Sequence, residues 1–363
     1  MSAPAPTRTP ARAWAAHLWD AVLSGDEATA GDVLLAALDS GIDAESVLLD
    51  VVGAVQREIG EAWAAHRIDI ATEHVATAVN ERALAVLRRH TASRAAPTRG
   101  RVTVACVDGE WHALPARLLT EVLMLRGWRV DHLGAQVPLP HLIAHIRRTD
   151  PDVVALSASL ATRLPTAHAA ISACRAVGVP VVVGGAAFGA DGRHAALLGA
   201  DAWAPNARAA ADRLEIAPPA GPLGRRQPYD DLPHLVDQEY TLVTRTAREL
   251  VRETLADLES RLPAMARYTE EQRRHTAADI AHIVDFLGAA LYTDDDDLFT
   301  DFVTWTAGVL TARSVPAHSL STTLDVLGGR LRDFPRATRL ITPARTRPGA
   351  WADIHDPGTG RPA

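Results

Sequence analysis

Apolar residues recur at helical spacing through the first quarter of the chain, and breaks at Gly25, Gly41 and residues 66–69 interrupt the pattern. This spacing predicts four helices, and the short connections between them favour antiparallel packing. We therefore expect a four-helix bundle over residues 12–92, followed by a linker at 93–100. The predicted helical runs are Trp14–Ala21, Val33–Leu38, Val47–Ile59 and Ile70–Leu87.

The pattern changes near residue 102, where short β-branched runs alternate with helical stretches. Such alternation is typical of a doubly wound parallel sheet, so we expect a flavodoxin-like α/β domain over residues 101–215. Sheets of this kind bind ligands beyond the carboxyl ends of their strands, and the informative residues should follow each strand. The predicted strands are Val102–Val107, Trp128–Leu133, Val153–Ser157, Val181–Val183 and Ala202–Ala204.

A proline-rich segment at about 216–233 lacks periodicity and indicates a second linker. Helical spacing then returns, and we expect an all-helical domain over residues 234–340. From about residue 343 the composition is typical of a disordered tail. The fold class is therefore multidomain, with α and α/β domains. The predicted C-terminal helices are Tyr240–Leu262, Glu270–Tyr292, Asp297–Arg313 and Leu320–Leu331.

Charge and composition restrict the partners of the chain. The formal net charge is -7 and the isoelectric point is near 6.1, so we expect no basic surface for nucleic acid. All basic side chains are arginines, which excludes lysine Schiff-base chemistry. Two cysteines, Cys106 and Cys174, favour a reducing compartment without disulfides. We find neither a membrane span nor a signal peptide, and we expect a cytoplasmic protein.

The loop after the first predicted strand contains a carboxylate two residues before a histidine, in the sequence Glu110-Trp111-His112. A histidine can bind a metal through one ring nitrogen while the other nitrogen donates to a carboxylate, which fixes the tautomer. This loop is therefore a candidate metal-ligand site at the carboxyl end of the sheet. Taken alone, such a tripeptide is more often a solvated surface pair.

The context of the tripeptide resembles the cobalamin-binding family, in which an acidic residue, any residue and a histidine occupy the same strand-to-helix loop. The resemblance extends to Ser157 after the third strand and to Gly184 and Gly185 after the fourth. It implies that His112 binds cobalt from below in place of the nucleotide base. It also implies that the displaced nucleotide tail enters a channel lined by the serine and the glycine pair, where the backbone must approach closely.

Two positions near this loop depart from the family pattern. Pro115 stands where the family usually has glycine, and Ser159 stands where it usually has leucine. Neither change removes a ligating group, but both can reshape the mouth of the channel. We include Ser159 and Trp111 among the residues expected around the cofactor.

Within the helical bundle, Trp63 is followed after nine residues by Glu73 and His74. Individually, such residues are more often a core tryptophan and a capping glutamate. The pattern resembles the cap of the adenosylcobalamin-dependent photoreceptor repressors, which implies that Trp63 covers the adenosyl group and that Glu73 contacts it. Those repressors have a histidine directly after the tryptophan, whereas this chain has Ala64. Whether His66 or His74 binds cobalt after illumination stays open, and we identify no helix-turn-helix segment.

The C-terminal block places Asp279, His282 and Phe286 on one helix face, with Tyr268 ahead of that helix. A histidine on such a face is more often part of the core. The domain order resembles the photocobilins, sensors that combine cobalamin with a bilin, and this implies a globin-like domain. The block has no cysteine, so biliverdin or a related bilin would be held non-covalently, with Asp279 and His282 at its pyrrole nitrogens. Candidates to pair with its propionates are Arg248, Arg252, Arg267, Arg273 and Arg274.

These resemblances imply a signalling photoreceptor rather than an enzyme, with adenosylcobalamin and a bilin as cofactors. Light would break the bond between cobalt and carbon, and the cap would shift relative to the α/β domain. We expect an unidentified downstream protein partner, no nucleic acid, no membrane, and a homo-oligomer. The alternatives are a corrinoid carrier for methyl transfer that uses the same His112, or a C-terminal domain that binds haem through His282 or only dimerises.

Overall fold

A computed structural model describes residues 9–90, 97–216, 232–315 and 318–346 of the protein. Contacts between residues divide the chain into two units. The first contains the N-terminal helical bundle together with a sheet, and the second contains the helices from Glu239 onwards. Residues 93–96 of the first expected linker and 217–231 of the second lie outside the described residues. The same holds for the expected tail from residue 347 onwards. Among the described helices, none is long and apolar enough to cross a membrane.

Four helical segments form the bundle, as the apolar spacing predicts. Three of them begin after an aspartate (Asp26, Asp43 or Asp69) whose side chain accepts a backbone N–H of the first turn. Their apolar faces share one buried core. The segments are α1 (Thr9–Leu23), α2 (Glu27–Asp39), a third that runs from α3 (Ala44–Ser46) through a π-helical stretch (Val47–Val52) into α4 (Gly53–Ala64), and α5 (Ile70–Arg89).

Five parallel strands form one sheet in the order β2-β1-β3-β4-β5. This is the strand order of flavodoxin-like folds, so the predicted multidomain α and α/β fold class is confirmed. Every residue of β3 is buried, as expected for a strand that helices cover on both faces. The strands are β1 (Arg101–Cys106), β2 (Arg129–Gly134), β3 (Val153–Ser157), β4 (Val181–Gly184) and β5 (Ala202–Ala204).

Helices cover the two faces of this sheet. Right-handed crossovers place the helix that follows β1 and the helix that follows β2 on opposite faces, because the chain reverses direction across the sheet between them. On one face α6 packs against α10, and on the other α7 packs against α8. These helices are α6 (Leu114–Leu125), α7 (Leu139–Thr149), α8 (Leu164–Ala176), α9 (Arg193–Leu197) and α10 (Ala207–Ile216).

The π-helical stretch lies where the bundle meets the α/β domain. Its side chains Val47, Leu48, Val51 and Val52 are buried, and the stretch packs against α6. The carbonyl of Val52 accepts a hydrogen bond of 3.3 Å from the buried side-chain amide of Asn80. π-Helical turns are rare and occur frequently at functional sites. The sequence spacing does not reveal this one, because a single wider turn barely changes the apolar periodicity.

An ion-pair cluster joins the same region of the bundle to the α/β domain. Glu45 accepts two hydrogen bonds from Arg126 and one from Arg208, each at 2.9 Å. Arg208 also donates to Asp50 at 3.2 Å, within the π-helical stretch. Bidentate arginine–carboxylate pairs are strong and geometrically specific. Hydrogen bonding from Arg126 holds the pKa of Glu45 below its usual value. We call these four residues the Glu45 cluster.

We predict that Glu45→Gln lowers the free energy of unfolding by about 1.5–3 kcal/mol at neutral pH, because it weakens charge-assisted hydrogen bonds. Since the pKa of Glu45 is lowered in the folded protein, its stabilisation is complete above the unfolded value of about 4.3. The stabilisation is then lost as the pH falls through the folded value. Urea unfolding of both proteins across this range measures the difference.

The control for this experiment is Glu27→Gln, which removes an exposed pair with Arg82 in the same bundle. Exposed pairs contribute little, so the control should cost less than about 1 kcal/mol. A loss at Glu45 that stays the same in acid would contradict the assignment.

The second unit is helical, as predicted, but its last helix was not expected. This helix, α15, runs through Pro343 to Thr346. We expected a disordered tail from about residue 343, so the predicted start of that tail is wrong. Buried Leu340, Ile341 and Ala344 hold α15 in the core. The helices of this unit are α11 (Glu239–Arg261), α12 (Glu270–Thr293), α13 (Asp296–Ala312), α14 (His318–Arg330) and α15 (Pro335–Thr346).

The first turn of α15 depends on a carboxylate that is distant in sequence. Buried Glu239 accepts the backbone N–H of Arg336 at 3.0 Å and that of Ala337 at 2.9 Å. A carboxylate at a helix N-terminus satisfies unpaired N–H groups and interacts favourably with the positive end of the helix dipole. Such a tertiary cap leaves no local signal, which explains why the helix escaped sequence analysis.

Candidate functional site

Glu110 lies at the centre of the loop that follows β1, which we call the β1 loop (residues 107–113). Its side chain is completely buried, and its oxygens accept four hydrogen bonds. Oε1 binds the backbone N–H of His112 at 2.9 Å and the ring nitrogen Nδ1 at 2.6 Å. Oε2 accepts the backbone N–H groups of Ser159 at 2.7 Å and Leu160 at 3.1 Å. Glu110 thus joins the β1 loop to the loop after β3, the β3 loop (residues 158–163).

These hydrogen bonds determine the protonation of the pair. Burial by itself raises the pKa of Glu110, but hydrogen bonds from His112, Ser159 and Leu160 outweigh it and lower the pKa to about 2. An ionised carboxylate only accepts, so Nδ1 of His112 carries the proton that lies between them. Nε2 is the ring nitrogen that Glu110 leaves for a metal, and the side chain is 32% exposed. His112 is therefore oriented as a metal ligand with a carboxylate behind it.

Trp111 connects the β1 loop to the bundle. Its indole stacks on the ring of His112, with 3.9 Å between centroids and 27° between planes. It also meets the ring of His74 edge-on, at 6.4 Å and 76°. The side chain is nevertheless 48% exposed. His74 of the bundle and His112 of the α/β domain thus flank one indole, so the beginning of α5 lies beside the candidate metal ligand.

The predicted cap residues lie at one end of the bundle. Trp63 is half-buried next to the end of α4, and Glu73 follows in the first turn of α5. The side chain of Glu73 is 17% exposed, whereas that of His74 is 60% exposed, and Nδ1 of His74 lies 2.8 Å from Oε2 of Glu73. His66 occupies the turn between the two helices with a φ of 55° and is exposed.

A chain of polar side chains runs from Glu73 into the bundle. Thr77 donates to Oε1 of Glu73 at 3.0 Å and accepts from Gln56 at 2.8 Å. Gln56 in turn accepts from Asn80 at 3.1 Å, and Asn80 also donates to Val52 in the π-helical stretch. Hydrogen bonds in such a network strengthen one another in a low-dielectric interior. The chain links the predicted upper-face residue to the region that holds the Glu45 cluster.

A cavity of about 120 Å³ lies between the sheet and helices α6 and α10. Its lining includes the predicted channel residues Ser157, Gly184 and Gly185, and also Pro115, but no charged side chain. The lining is mostly apolar, which is compatible with the aromatic end of a nucleotide tail. Ser159 is not part of the lining and contributes its backbone N–H to Glu110 instead.

Gly185 is required by the backbone beside this cavity. Its φ is 104°, in the region that favours glycine, and an added Cβ would lie 2.2 Å from the carbonyl oxygen of Ala158. At Gly184 an added Cβ would lie 3.2 Å from the carbonyl oxygen of Ala204, which is tight but less severe. The glycine pair therefore lets the ends of β4, β5 and the β3 loop approach closely around the cavity.

The residues predicted to hold a bilin lie in the second unit. Asp279 and His282 are exposed on α12, whereas Phe286 and Tyr268 are half-buried. Phe286 stacks face to face on Phe302 of α13, with 3.7 Å between centroids and 6° between planes. The ring of Trp305, which is 51% exposed, lies 6.5 Å from that of Phe302. The face thus combines two polar side chains with an aromatic row.

The charged side chains near Asp279 do not include the arginines that were predicted to pair with bilin propionates. Although Asp279 is exposed to solvent, desolvation by the protein around it raises its pKa, and His282, His275 and Arg313 reduce the size of that increase. Arg313 lies at the end of α13 and was not among the predicted arginines. Two of the predicted ones already have partners, since Arg273 pairs with Glu259 and Arg252 with Glu249.

Other residues near the first site also escaped sequence reasoning. Asn206, after β5, lines the cavity, and Arg163, at the end of the β3 loop, lies against Gly109. Position directly after a strand could have indicated Asn206. No local pattern indicates that Arg163 meets Gly109, or that Thr77 and Asn80 belong to one polar chain, since these contacts join separate segments.

Two segments of the chain match family models described as B12 binding domains, at residues 14–88 and 100–214. The first covers the helical bundle and the second covers the α/β domain. The described residues fit a corrinoid, because Glu110 holds Nδ1 of His112 and leaves Nε2 for a metal, and because Ser157, Gly184 and Gly185 line an uncharged cavity at the strand ends. These segments are the cobalamin-binding part of the chain.

Several known proteins are similar to this chain. It is 34% identical over 174 residues to the HTH-type transcriptional repressor CarA of Myxococcus xanthus, covering 47% of this chain and 57% of the repressor. It is 24% identical over 204 residues to the trimethylamine corrinoid protein of Methanosarcina barkeri, covering 54% and 93%. The solved monomethylamine corrinoid protein of Methanosarcina barkeri aligns with a TM-score of 0.48 and 21% identity, over 55% of this chain and 96% of that one.

We predict that Gly185→Ala weakens cobalamin binding by about 5- to 150-fold, because crowding a close-packed site typically costs 1–3 kcal/mol. Gly178→Ala is the control. Gly178 has a similar φ of 88°, yet an added Cβ there meets no atom within 4 Å. Titration of each variant with cobalamin, followed by absorbance, separates the clash from the backbone strain that both share. Equal losses in the two variants would count against a role for Gly185 in the cavity.

Proposed function

We propose that this protein is a light sensor that binds adenosylcobalamin on His112 and signals through movement of its helical cap. The observation that carries the proposal is the arrangement of Trp111 between His112 and His74. In this arrangement the beginning of α5, with Glu73 and His74, lies beside the loop that would supply the cobalt ligand. When bound, the cofactor supplies a cobalt–carbon bond that light breaks.

The cap residues support an organic upper ligand larger than a methyl group. Glu73 offers a carboxylate, and Trp63 offers an indole at the same end of the bundle. An aromatic side chain and a hydrogen-bond acceptor are suited to a nucleoside. The similarity to the Myxococcus xanthus repressor agrees with this assignment, although this chain spans only 57% of the length of that protein. We propose a signalling role rather than an enzymatic one.

Two contacts of the bundle provide a route for the signal. The polar chain from Glu73 ends at Val52, in the π-helical stretch. The Glu45 cluster then connects the same region to Arg126 at the end of α6 and to Arg208 in α10. When the group above Glu73 leaves, this carboxylate loses a neighbour, and we propose that the polar chain and the cluster rearrange together. A packed interface with two arrangements converts such a local change into movement of whole elements.

The test is anaerobic reconstitution with adenosylcobalamin, followed by absorption spectra in the dark and after illumination. Wild-type protein should show a histidine-coordinated spectrum in the dark and a lasting change after light. His112→Ala should lack the histidine-coordinated spectrum in the dark, because the proposed lower ligand of cobalt is removed. His141→Ala, an exposed histidine on α7, serves as the control and should behave as wild type. A dark spectrum that is unchanged in His112→Ala would refute the ligand assignment.

A corrinoid carrier for methyl transfer is the second candidate, and the similarity to the trimethylamine corrinoid proteins favours it. This chain covers 93% of the Methanosarcina barkeri protein. A carrier needs an upper face that accepts methyl groups and a partner enzyme, rather than a pocket for a nucleoside. Comparing the affinities for adenosylcobalamin and methylcobalamin in wild type and Trp63→Ala distinguishes the two. A sensor should prefer the adenosyl form and lose that preference in the variant.

For the second unit we propose a non-covalent bilin site on the face formed by α12 and α13. The half-buried Phe286, which packs on the buried Phe302, and the exposed Trp305 offer apolar aromatic surface for a conjugated tetrapyrrole. Asp279 and His282 lie beside it, and the raised pKa of Asp279 favours a group that shares protons with pyrrole nitrogens. Arg313, whose Nη1 donates to the carbonyl of Val309, supplies a positive charge near Asp279 that can attract a propionate.

We predict that His282→Ala weakens binding of biliverdin about tenfold and shifts its long-wavelength absorption band, because a hydrogen bond to the chromophore is lost. Titration of the full chain with biliverdin measures both effects. His318→Ala, an exposed histidine of the same unit, is the control. Haem titration of the same proteins tests the rival ligand. Identical biliverdin spectra in His282→Ala and wild type would exclude this histidine from the site.

A further inference from the structure

Arg163, at the end of the β3 loop, is a positive charge whose partner is not found among the described residues. Its Nε is buried and has no hydrogen-bond acceptor there. Glu110 is close in the fold, but its oxygens already accept four hydrogen bonds from His112, Ser159 and Leu160. A buried N–H without an acceptor is costly, and an acceptor on a ligand removes that cost.

The guanidinium of Arg163 lies across the β1 loop at Gly109. A Cβ added to Gly109 would lie 2.8 Å from Nη1, 3.2 Å from Cζ and 3.5 Å from Nε. Gly109 has a φ of 76° and forms a turn in which the N–H of Glu110 donates to the carbonyl of Val107 at 3.0 Å. Glycine at this position therefore makes the turn and leaves room for the guanidinium, three residues before His112.

The position of Arg163 separates it from the cavity. Arg163 immediately precedes α8, which packs against α7 on one face of the sheet. The cavity lies on the other face, beside α6 and α10, and Arg163 is not in its lining. A ligand group that meets Arg163 is therefore one held above the strand ends near His112, and not one that enters the cavity.

We propose that Arg163 is a cobalamin-binding residue that donates hydrogen bonds to amide carbonyl groups at the edge of the corrin ring. This inference rests on the cobalamin site at His112. Amide carbonyls are the acceptors that the ring edge offers, whereas the phosphodiester belongs to the nucleotide tail. A planar guanidinium with several fixed N–H groups suits such acceptors better than a lysine ammonium.

The first test compares two corrinoids on the full chain: cobalamin, and cobinamide, which has the same ring amides but no nucleotide tail. Arg163→Met should weaken the binding of both by the same factor, about 10- to 100-fold. Arg163→Lys should recover part of the loss. Arg129→Met is the control, because Arg129 is exposed at the amino end of β2, away from the loops.

A second readout separates ligand contact from a purely structural role. Cobalamins with one propionamide hydrolysed to a carboxylate place a negative charge at a chosen point of the ring edge. Wild-type protein should bind one of these acids more tightly than cobalamin, and Arg163→Met should lose that preference. A variant that only disturbed the loops would bind every acid less tightly by the same factor.

Three results would overturn the role of Arg163: unchanged affinity in Arg163→Met, a loss confined to cobalamin, or the same acid preference in variant and wild type. A loss confined to cobalamin would place the contact at the phosphodiester instead. If wild-type protein binds neither cobalamin nor cobinamide, the result contradicts the site at His112 itself rather than the assignment of Arg163.

Discussion

The buried carboxylate of Glu110 organises the ligand-binding end of the sheet. Two loops leave adjacent strands there, and donors from both meet on this one side chain. A buried charge is tolerated only where hydrogen bonds replace its hydration, and here they do so well enough to keep the carboxylate ionised. Because the charge persists, it determines which nitrogen of His112 carries the proton. The same hydrogen bond fixes the orientation of the ring and leaves Nε2 for a metal. Trp111 stacks on the ring that is held in this way.

The site has two parts with different surroundings at the strand ends. Below the strand ends, the uncharged cavity beside α6 and α10 provides space bounded by Ser157 and the glycine pair. Around the loops, polar groups gather instead, with His112 and the guanidinium of Arg163 on either side of Gly109 and Glu110. An amphipathic cofactor needs this division, because its aromatic base and its amide-bearing ring require different surroundings.

The bundle is connected to this centre by polar contacts as well as by apolar packing. Apolar packing holds the cap against α6, while the Glu45 cluster gives the interface a defined geometry. Polar interfaces of this kind specify one arrangement and can exchange partners, which suits an element that moves. The second unit carries its own aromatic row on α12 and α13, with Asp279 and His282 exposed beside it rather than in a core.

Periodicity and strand-end position alone predicted much of this protein. The alternation of β-branched and helical segments placed all five strands to within one residue at each end. A short β-branched run between helical segments is a local signal, so it can be read from the sequence. Ser157, Gly184 and Gly185 converge because adjacent parallel strands end at one edge. Contacts between distant side chains were decided only in the tertiary structure. Glu45 and Arg126 lie 81 positions apart, and Arg163 meets Gly109 across two loops. Such pairs depend on where whole elements pack, so no local pattern records them.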